Sequence, residues 1–294
     1  MNKGGKLFCF GFGYSAGRLA GRLLAEDGWD VTGTTRSREK ATSQERSRLH
    51  VWPGSDIGPE VDSSTHLLTS IAPTGDGDIA AQFLSERWGS SAPAGVRWLG
   101  YLSTTAVYGN HDGAWVDEDT DLRPSTARGA ARVAAEEAWQ DLARKWKIPL
   151  NIFRLAGIYG PGRGPIAQLR RGRSRRIIKE GQVFNRIHVD DIVGILHLSL
   201  TAERPGGVYN VCDDRPERPE LVISYAARLL GQPEPPAIPF AEAELTPMAR
   251  SFYSESKRVR NHRIKHTLGY SLLYPNYATG LEACVQEQGR LALL

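Results

Sequence analysis

The stretch KLFCFGFGYSAGRLAGRLLAEDGWDVTGTTR, residues 6–36, decides the fold. Its order is a short apolar strand, a glycine turn, a helix, a second strand and a terminal arginine. Lys6 to Phe10 is apolar and aromatic-rich, and it runs into Gly11-Phe12-Gly13-Tyr14-Ser15-Ala16, the GxGxx(G/A) spacing of a phosphate-binding turn. Gly11 permits the tight turn, and Gly13 lets the backbone approach a pyrophosphate. Ala16 with Gly17 lets the new helix pack close to its strand. The N–H groups of the helix start, at Tyr14, Ser15 and Ala16, then face the anion.

Context strengthens a motif that is weak alone. Leu19, Leu23 and Leu24 recur at helical spacing before Gly28, the expected helix end, and Val31 to Thr34 form a β-branched second strand. At the end of that strand the acid that would hold a ribose 2′-hydroxyl is absent. Arg36 stands there, flanked by Thr35, Ser37 and Arg38. A cation at this point suits the 2′-phosphate of NADP. One charge-assisted contact contributes roughly 1.5–3 kcal/mol, about tenfold or more in favour of NADP, with NAD still acceptable. The alternative is that Arg36 and Arg38 solvate a surface loop.

A chain of 294 residues with 40% hydrophobic and 24% charged residues is ordinary for a soluble globule. The formal net charge of +4 fits an anionic ligand without demanding nucleic acid. Cys9, Cys212 and Cys284 are far apart, so neither a disulfide framework nor a metal site is expected, and a reducing cytoplasm is the default compartment. The run from Leu7 to Phe12 is too short for a secretion signal and is followed by Arg18. The apolar run Ile192 to Leu200 is too short to span a bilayer.

Strands alternate with helices, which predicts a doubly wound α/β protein with a parallel Rossmann sheet. Residues 66–71, HLLTSI, form a strand ending at Ala72-Pro73, and Ser70 and Ala72 at its end are small residues suited to close cofactor approach. Ile79 to Trp88 is a helix, Val96 to Leu102 a strand running into Ser103-Thr104-Thr105, Thr126 to Lys147 a helix, and Leu150 to Leu155 a strand. Composition changes after Tyr159-Gly160-Pro161-Gly162. The expected division is a dinucleotide-binding domain over 1–160, joined again by 183–212, and a smaller substrate lobe from 161–182 and 213–294. An N-cap for the helix at Ile192 is expected from Asp190 or Asp191, with His188 bonding a neighbouring backbone group.

Several strings in order, GFGYSA, LSTTAVYG at 102–109, FRLAGIYGPGR at 153–163, RIHVDDI at 186–192 and GGVYNVCDD at 206–214, resemble the extended short-chain dehydrogenase/reductase superfamily, also called the NAD-dependent epimerase/dehydratase family. The resemblance implies a Rossmann domain for the cofactor, including Ser103, and a lobe for a substrate that is often a nucleotide sugar. Redox members of that family use a Ser or Thr, then a Tyr and Lys spaced YxxxK on the next helix. Thr104 lies where the family hydroxyl sits, but Arg128 falls at the tyrosine position and Arg132 at the lysine position. Arginine stays protonated near neutrality and cannot replace tyrosine as an acid/base. Arg132 is left the cationic half of the lysine's work and Arg128 a bidentate clamp on a carboxylate or phosphate; the alternative is two solvated residues on an exposed helix face. Tyr108 and Tyr14 are the nearest other phenols, each with a plainer role in packing.

Arg163, Arg170, Arg171, Arg173, Arg175, Arg176 and Lys179 are either solvated charge or an anionic-substrate contact, and they lack the aromatic interleaving of a nucleic-acid platform. The expectation is an NADP(H)-binding, atypical oxidoreductase or epimerase-like enzyme acting on a small, anionic or sugar-like molecule, as a monomer or homodimer, with no metal, nucleic acid or membrane partner. A non-catalytic NADP-binding sensor is the competing expectation.

Overall fold

The computed structural model describes residues 4–43, 47–202 and 206–291. Seven strands build the central parallel sheet: β1 (Gly5–Phe10), β2 (Trp29–Thr35), β3 (Arg48–Val51), β4 (His66–Thr69), β5 (Trp98–Thr104), β6 (Leu150–Leu155) and β7 (Gly207–Val211). Their order across the sheet is β7-β6-β5-β4-β1-β2-β3. The order reverses at β1, with Leu7 paired to Val31 on one side and to His66 on the other. A doubly wound sheet places its ligand at such a reversal, beyond the carboxyl ends of the strands. This is the Rossmann architecture that the alternating pattern predicts.

The strands are apolar because they are buried on both faces. Leu7, Phe8, Cys9 and Phe10 are at most 1% exposed, so β1 occupies the centre of the core. The helix α1 (Tyr14–Leu23) buries Ser15, Ala16, Leu19, Ala20 and Leu23. On the other face, α2 (Ile79–Trp88) and α3 (Ala127–Trp146) press Leu84, Ala135, Trp139 and Leu142 against Phe8, Phe10, Leu67 and Leu99.

Several boundaries differ from expectation, among them the strand expected over Val96 to Leu102, which runs from Trp98 to Thr104 and so takes in Ser103 and Thr104. The first helix ends at Leu23, and Gly28 instead makes the turn into β2, with φ +89 and Gly4 so near that an added Cβ would meet its Cα at 3.2 Å. The strand expected over 66–71 stops at Thr69, where its pairing with β1 ends opposite Phe10 and β1 turns away at Gly11 with φ +87. Asp191 does not cap α4 (Val189–Thr201) but stands in its first turn. There its carboxylate accepts from the Tyr270 hydroxyl and the N–H groups of Leu273 and Tyr274 at 2.7–3.1 Å. His188 does bond a neighbouring backbone group, accepting from the Asp190 N–H at 3.2 Å.

The chain separates into two compact units. The first runs to Thr104 and takes in Ala127–Arg154 and Val193–Tyr209; the second comprises Thr105–Thr126, Leu155–Ile192 and the chain from Asn210 onward. Residues 105–126 thus group with the second unit, which is nearly as long as the first, whereas the expected boundaries kept them in the dinucleotide-binding domain. The physical reason is a parallel pairing of Trp115–Val116 with Arg258–Val259, backed by Tyr108, whose hydroxyl donates to Asn210 Oδ1 at 2.7 Å. Among the described residues no helix is long and apolar enough to cross a membrane, and no cluster of His, Cys, Asp and Glu has the makings of a metal site.

Candidate functional site

The glycine turn sits at the carboxyl end of β1 and is fastened from both neighbouring strands. Thr34 accepts the Gly11 N–H on Oγ1 at 2.8 Å and the Phe12 N–H on its carbonyl at 2.7 Å. From the other side the Ser70 hydroxyl donates to the Gly11 carbonyl at 2.5 Å. Gly11 has φ +87, and a Cβ there would strike Ser70 Oγ and Ile71 at 2.9 Å, so both backbone and space require glycine. Gly13 is different. A Cβ on it would meet nothing within 4 Å, so the face above the helix start is open. Gly13 is the N-cap of α1 with no side-chain cap, and the first turn carries no acid. An open glycine face over an uncapped, ten-residue helix fits the pyrophosphate of a dinucleotide.

Arg36, Ser37 and Arg38 are exposed just past β2, and Thr35 is half-buried with its hydroxyl accepting the Ser37 N–H at 3.2 Å. Lys40 is a functional candidate that sequence reasoning missed. Its ammonium donates to the Phe12 carbonyl inside the glycine turn and lies 5.6 Å from the centre of the Phe12 ring. Lys40 lies in a short helix, Arg38–Ser43, four residues after Arg36, and that closeness to Arg36 in the chain was the available signal. Ser70 is half-buried and Ala72 exposed at the end of β4, on the same side of the sheet as the turn.

The remaining predicted residues lie at the end of β5 and the start of α3. Thr104 is half-buried as the last residue of β5, and Arg128 is exposed in the first turn of α3. Arg132, one turn further, reaches back to β5, donating to the Leu102 carbonyl at 2.7 Å and to the Tyr101 hydroxyl at 3.0 Å, so it is anchored rather than solvated. Ser103 is 4% exposed, and its hydroxyl donates to Glu136 Oε1 at 2.5 Å. Glu136 in turn forms a buried ion pair with Arg154, 2.7 Å between Oε2 and Nη2, with both side chains no more than 5% exposed. This triad braces the strand end that carries Thr104.

The helix α3 itself carries no tyrosine. Tyr101 is fully buried, and desolvation pushes its hydroxyl well above the usual tyrosine range. Tyr108 is buried with its hydroxyl on Asn210. The arginine run of the second unit divides: Arg163, Arg170, Arg171, Arg173 and Arg175 are exposed, whereas Arg176 is paired to Glu234 at 2.7 Å and Lys179 donates to the Tyr253 carbonyl.

Comparison with known proteins agrees with this geometry. The family model for the NAD dependent epimerase/dehydratase family matches residues 88–212. A solved structure of a functionally unknown conserved protein from Silicibacter pomeroyi DSS is 52% identical, covers 96% of this chain and 99% of its own, and has a TM-score of 0.89. Protein YeeZ of Escherichia coli (strain K12) is 28% identical over 286 residues, 92% of this chain and 97% of that one. The UDP-glucuronic acid 4-epimerase from Bacillus cereus, solved in complex with NAD, is only 17% identical but covers 97% of this chain and 99% of its own with a TM-score of 0.76, which shows the shared fold.

Proposed function

We propose that the chain is a member of the NAD-dependent epimerase/dehydratase family, whose model matches residues 88–212, and that it binds NADP(H) and works as an oxidoreductase or epimerase-like enzyme on a small sugar-like or nucleotide-sugar substrate, without a YxxxK dyad. The observation that carries the reading is the pairing of an open Gly13 face with two cations, Arg36 and Lys40, at the end of β2. Backbone N–H groups of Tyr14, Ser15 and Ala16 take the pyrophosphate. Arg36, with Thr35, Ser37 and Lys40 beside it, takes the 2′-phosphate, while Ser70 and Ala72 flank the adenosine half.

A bound nicotinamide supplies hydride chemistry. The protein's own part is positional: the Thr104 hydroxyl holds a substrate oxygen, Arg132 presents a fixed positive charge at the end of β5, and Arg128 grips an anionic group of the substrate. Ser103 acts from behind, through Glu136. The second unit serves as the substrate lobe. The three cysteines, free and buried, are in keeping with a reducing cytoplasm, where the chain works as a monomer or homodimer.

The test is NADPH oxidation together with isomerisation of the substrate itself, followed by chromatography, across a panel of nucleotide sugars, aldehydes and ketones, with Gly13→Val as the control that closes the open face. Substrate-dependent oxidation or isomerisation that Gly13→Val abolishes supports the enzyme. One observation favours a second reading, a non-catalytic NADP-binding sensor: Arg128 replaces the tyrosine, and the Tyr101 and Tyr108 phenols are both buried. Tight NADPH binding without turnover of any panel member would select the sensor.

A further inference from the structure

Residues 105–126 leave β5 after Thr104 and re-enter the helix α3 at Ala127, and this excursion closes on itself at its neck. Gly109 has φ +72, and a Cβ there would stand 1.8 Å from the Arg123 carbonyl oxygen and 3.3 Å from the Ser125 nitrogen, so the outgoing and returning chain touch backbone to backbone. The segment 255–260 runs along the excursion. The Ser256 carbonyl accepts the N–H groups of His111 and Gly113 at 3.0 and 2.9 Å, and the Arg258 and Arg260 N–H groups donate to the Ala114 and Val116 carbonyls at 2.9 Å each.

Two charged side chains of that segment grip the neck itself. Lys257 Nζ donates to the Gly109 carbonyl at 2.7 Å and to Glu255 Oε2 at 2.6 Å. The other carboxylate oxygen, Glu255 Oε1, accepts from the Ser125 hydroxyl at 2.5 Å, so the pair holds both sides of the neck. The Lys257 and Glu255 side chains are only 7% and 9% exposed, and burial pushes the ammonium below its usual pKa while Glu255 works in the opposite direction. A buried ion pair contributes little stability beyond that of a well-packed apolar pair of similar volume. What this pair adds is direction: each charge is aimed at one atom of the neck, which fixes the register in which the excursion closes.

The neck borders two of the candidate substrate contacts. Thr104 immediately precedes the excursion, and Arg128 follows Ser125 by three positions, in the first turn of α3. We propose that Glu255 and Lys257 are positioning residues, which act through Gly109 and Ser125 to set where Arg128 presents its guanidinium to an anionic substrate. The inference rests on the reading of Arg128 as the grip on that anion. Without the clamp α3 stays folded, because Ala135, Trp139 and Leu142 pack it into the core beyond its first turn. Its entry loosens, and a charge-assisted contact that depends on fixed geometry weakens with it.

The experiment is a double-mutant cycle between Lys257→Met and Arg128→Ala, with UDP-glucuronic acid as the anionic probe and NADPH as the control, each titrated by calorimetry. Lys257→Met should bind the probe about tenfold more weakly and NADPH as before. In the Arg128→Ala background the same change should alter probe affinity by less than about twofold, because the group it acts through is gone. Lys257→Arg, which keeps a cation for Gly109 and Glu255, should recover most of the loss. Ser125→Ala, which removes one hydroxyl, is the milder variant should Lys257→Met fail to fold, and it should weaken the probe about threefold. Equal factors with and without Arg128 mark a merely structural effect and overturn the proposal, as does unchanged affinity in Lys257→Met. Wild-type binding that Arg128→Ala leaves intact refutes the grip assigned to Arg128, and the proposal with it. If the wild type does not bind the probe, the substrate reading fails for that sugar, and amide hydrogen exchange reads the clamp alone. Faster exchange in Ser125→Ala and Lys257→Met across 105–116 and the first two turns of α3 supports the clamp, and a change confined to 255–258 overturns it.

Discussion

Glu136→Gln changes one oxygen to an amide nitrogen in a site with almost no solvent, and its cost follows from the ion pair it breaks. Arg154 and Glu136 are 4% and 1% exposed, and the carboxylate receives the Arg154 Nε and Nη2 and the Ser103 hydroxyl at 2.5–3.2 Å. The variant is nearly isosteric, so no cavity opens and the loss is electrostatic. Removing one partner of a buried pair leaves the other charge uncompensated, a cost of about 3–5 kcal/mol, against a total stability of about 5–15 kcal/mol for a folded protein. At about 2–4 °C per kcal/mol the melting temperature should fall by about 6–20 °C. Urea titration and calorimetry measure this directly. The double variant Glu136→Leu with Arg154→Met, which removes both charges, should recover most of the loss. A Glu136→Gln protein within about 1 kcal/mol of wild type would refute the account of the pair as the brace of β5.

Lys40→Met should weaken NADPH and NADH binding by removing the ammonium from the Phe12 carbonyl, and NADPH the more because the 2′-phosphate loses a neighbouring cation; unchanged affinity for both in equilibrium titrations would sink the role. Tyr108→Phe should cost about 1 kcal/mol of stability through the lost bond to Asn210 and leave nucleotide affinity unchanged, checked by denaturant titration beside a binding curve. His66 sits between the Trp29 and Trp98 rings, and burial lowers its pKa to about 4. Its folded pKa lies below the unfolded one, so the stability tied to its neutral form is complete above about pH 6.5 and is lost as pH falls toward 4. His66→Phe should flatten that part of the melting-temperature profile, and an unchanged slope would sink the assignment.

What the sequence made legible was local. The turn Gly11–Ala16 is dictated by backbone freedom and close approach, which are properties of the residues themselves, and Gly11 indeed needs its positive φ. The sheet followed from apolar strands separated by amphipathic helices. The parts that escaped depend on residues distant in the chain. Glu136 meets Arg154 from the next strand and Ser103 from the previous one, and nothing in either neighbourhood announces the pairing. The Trp115–Val116 strand finds its partner at Arg258–Val259, too remote for any periodicity to connect.

The central claim is that the end of β2 reads a 2′-phosphate through Arg36. Isothermal titration of NADPH and NADH into wild type and Arg36→Ala tests it most directly. Wild type should prefer NADPH by about tenfold or more, and Arg36→Ala should lose that preference while binding NADH as before. Equal affinities in the wild type, or equal losses for both nucleotides in the variant, would contradict it.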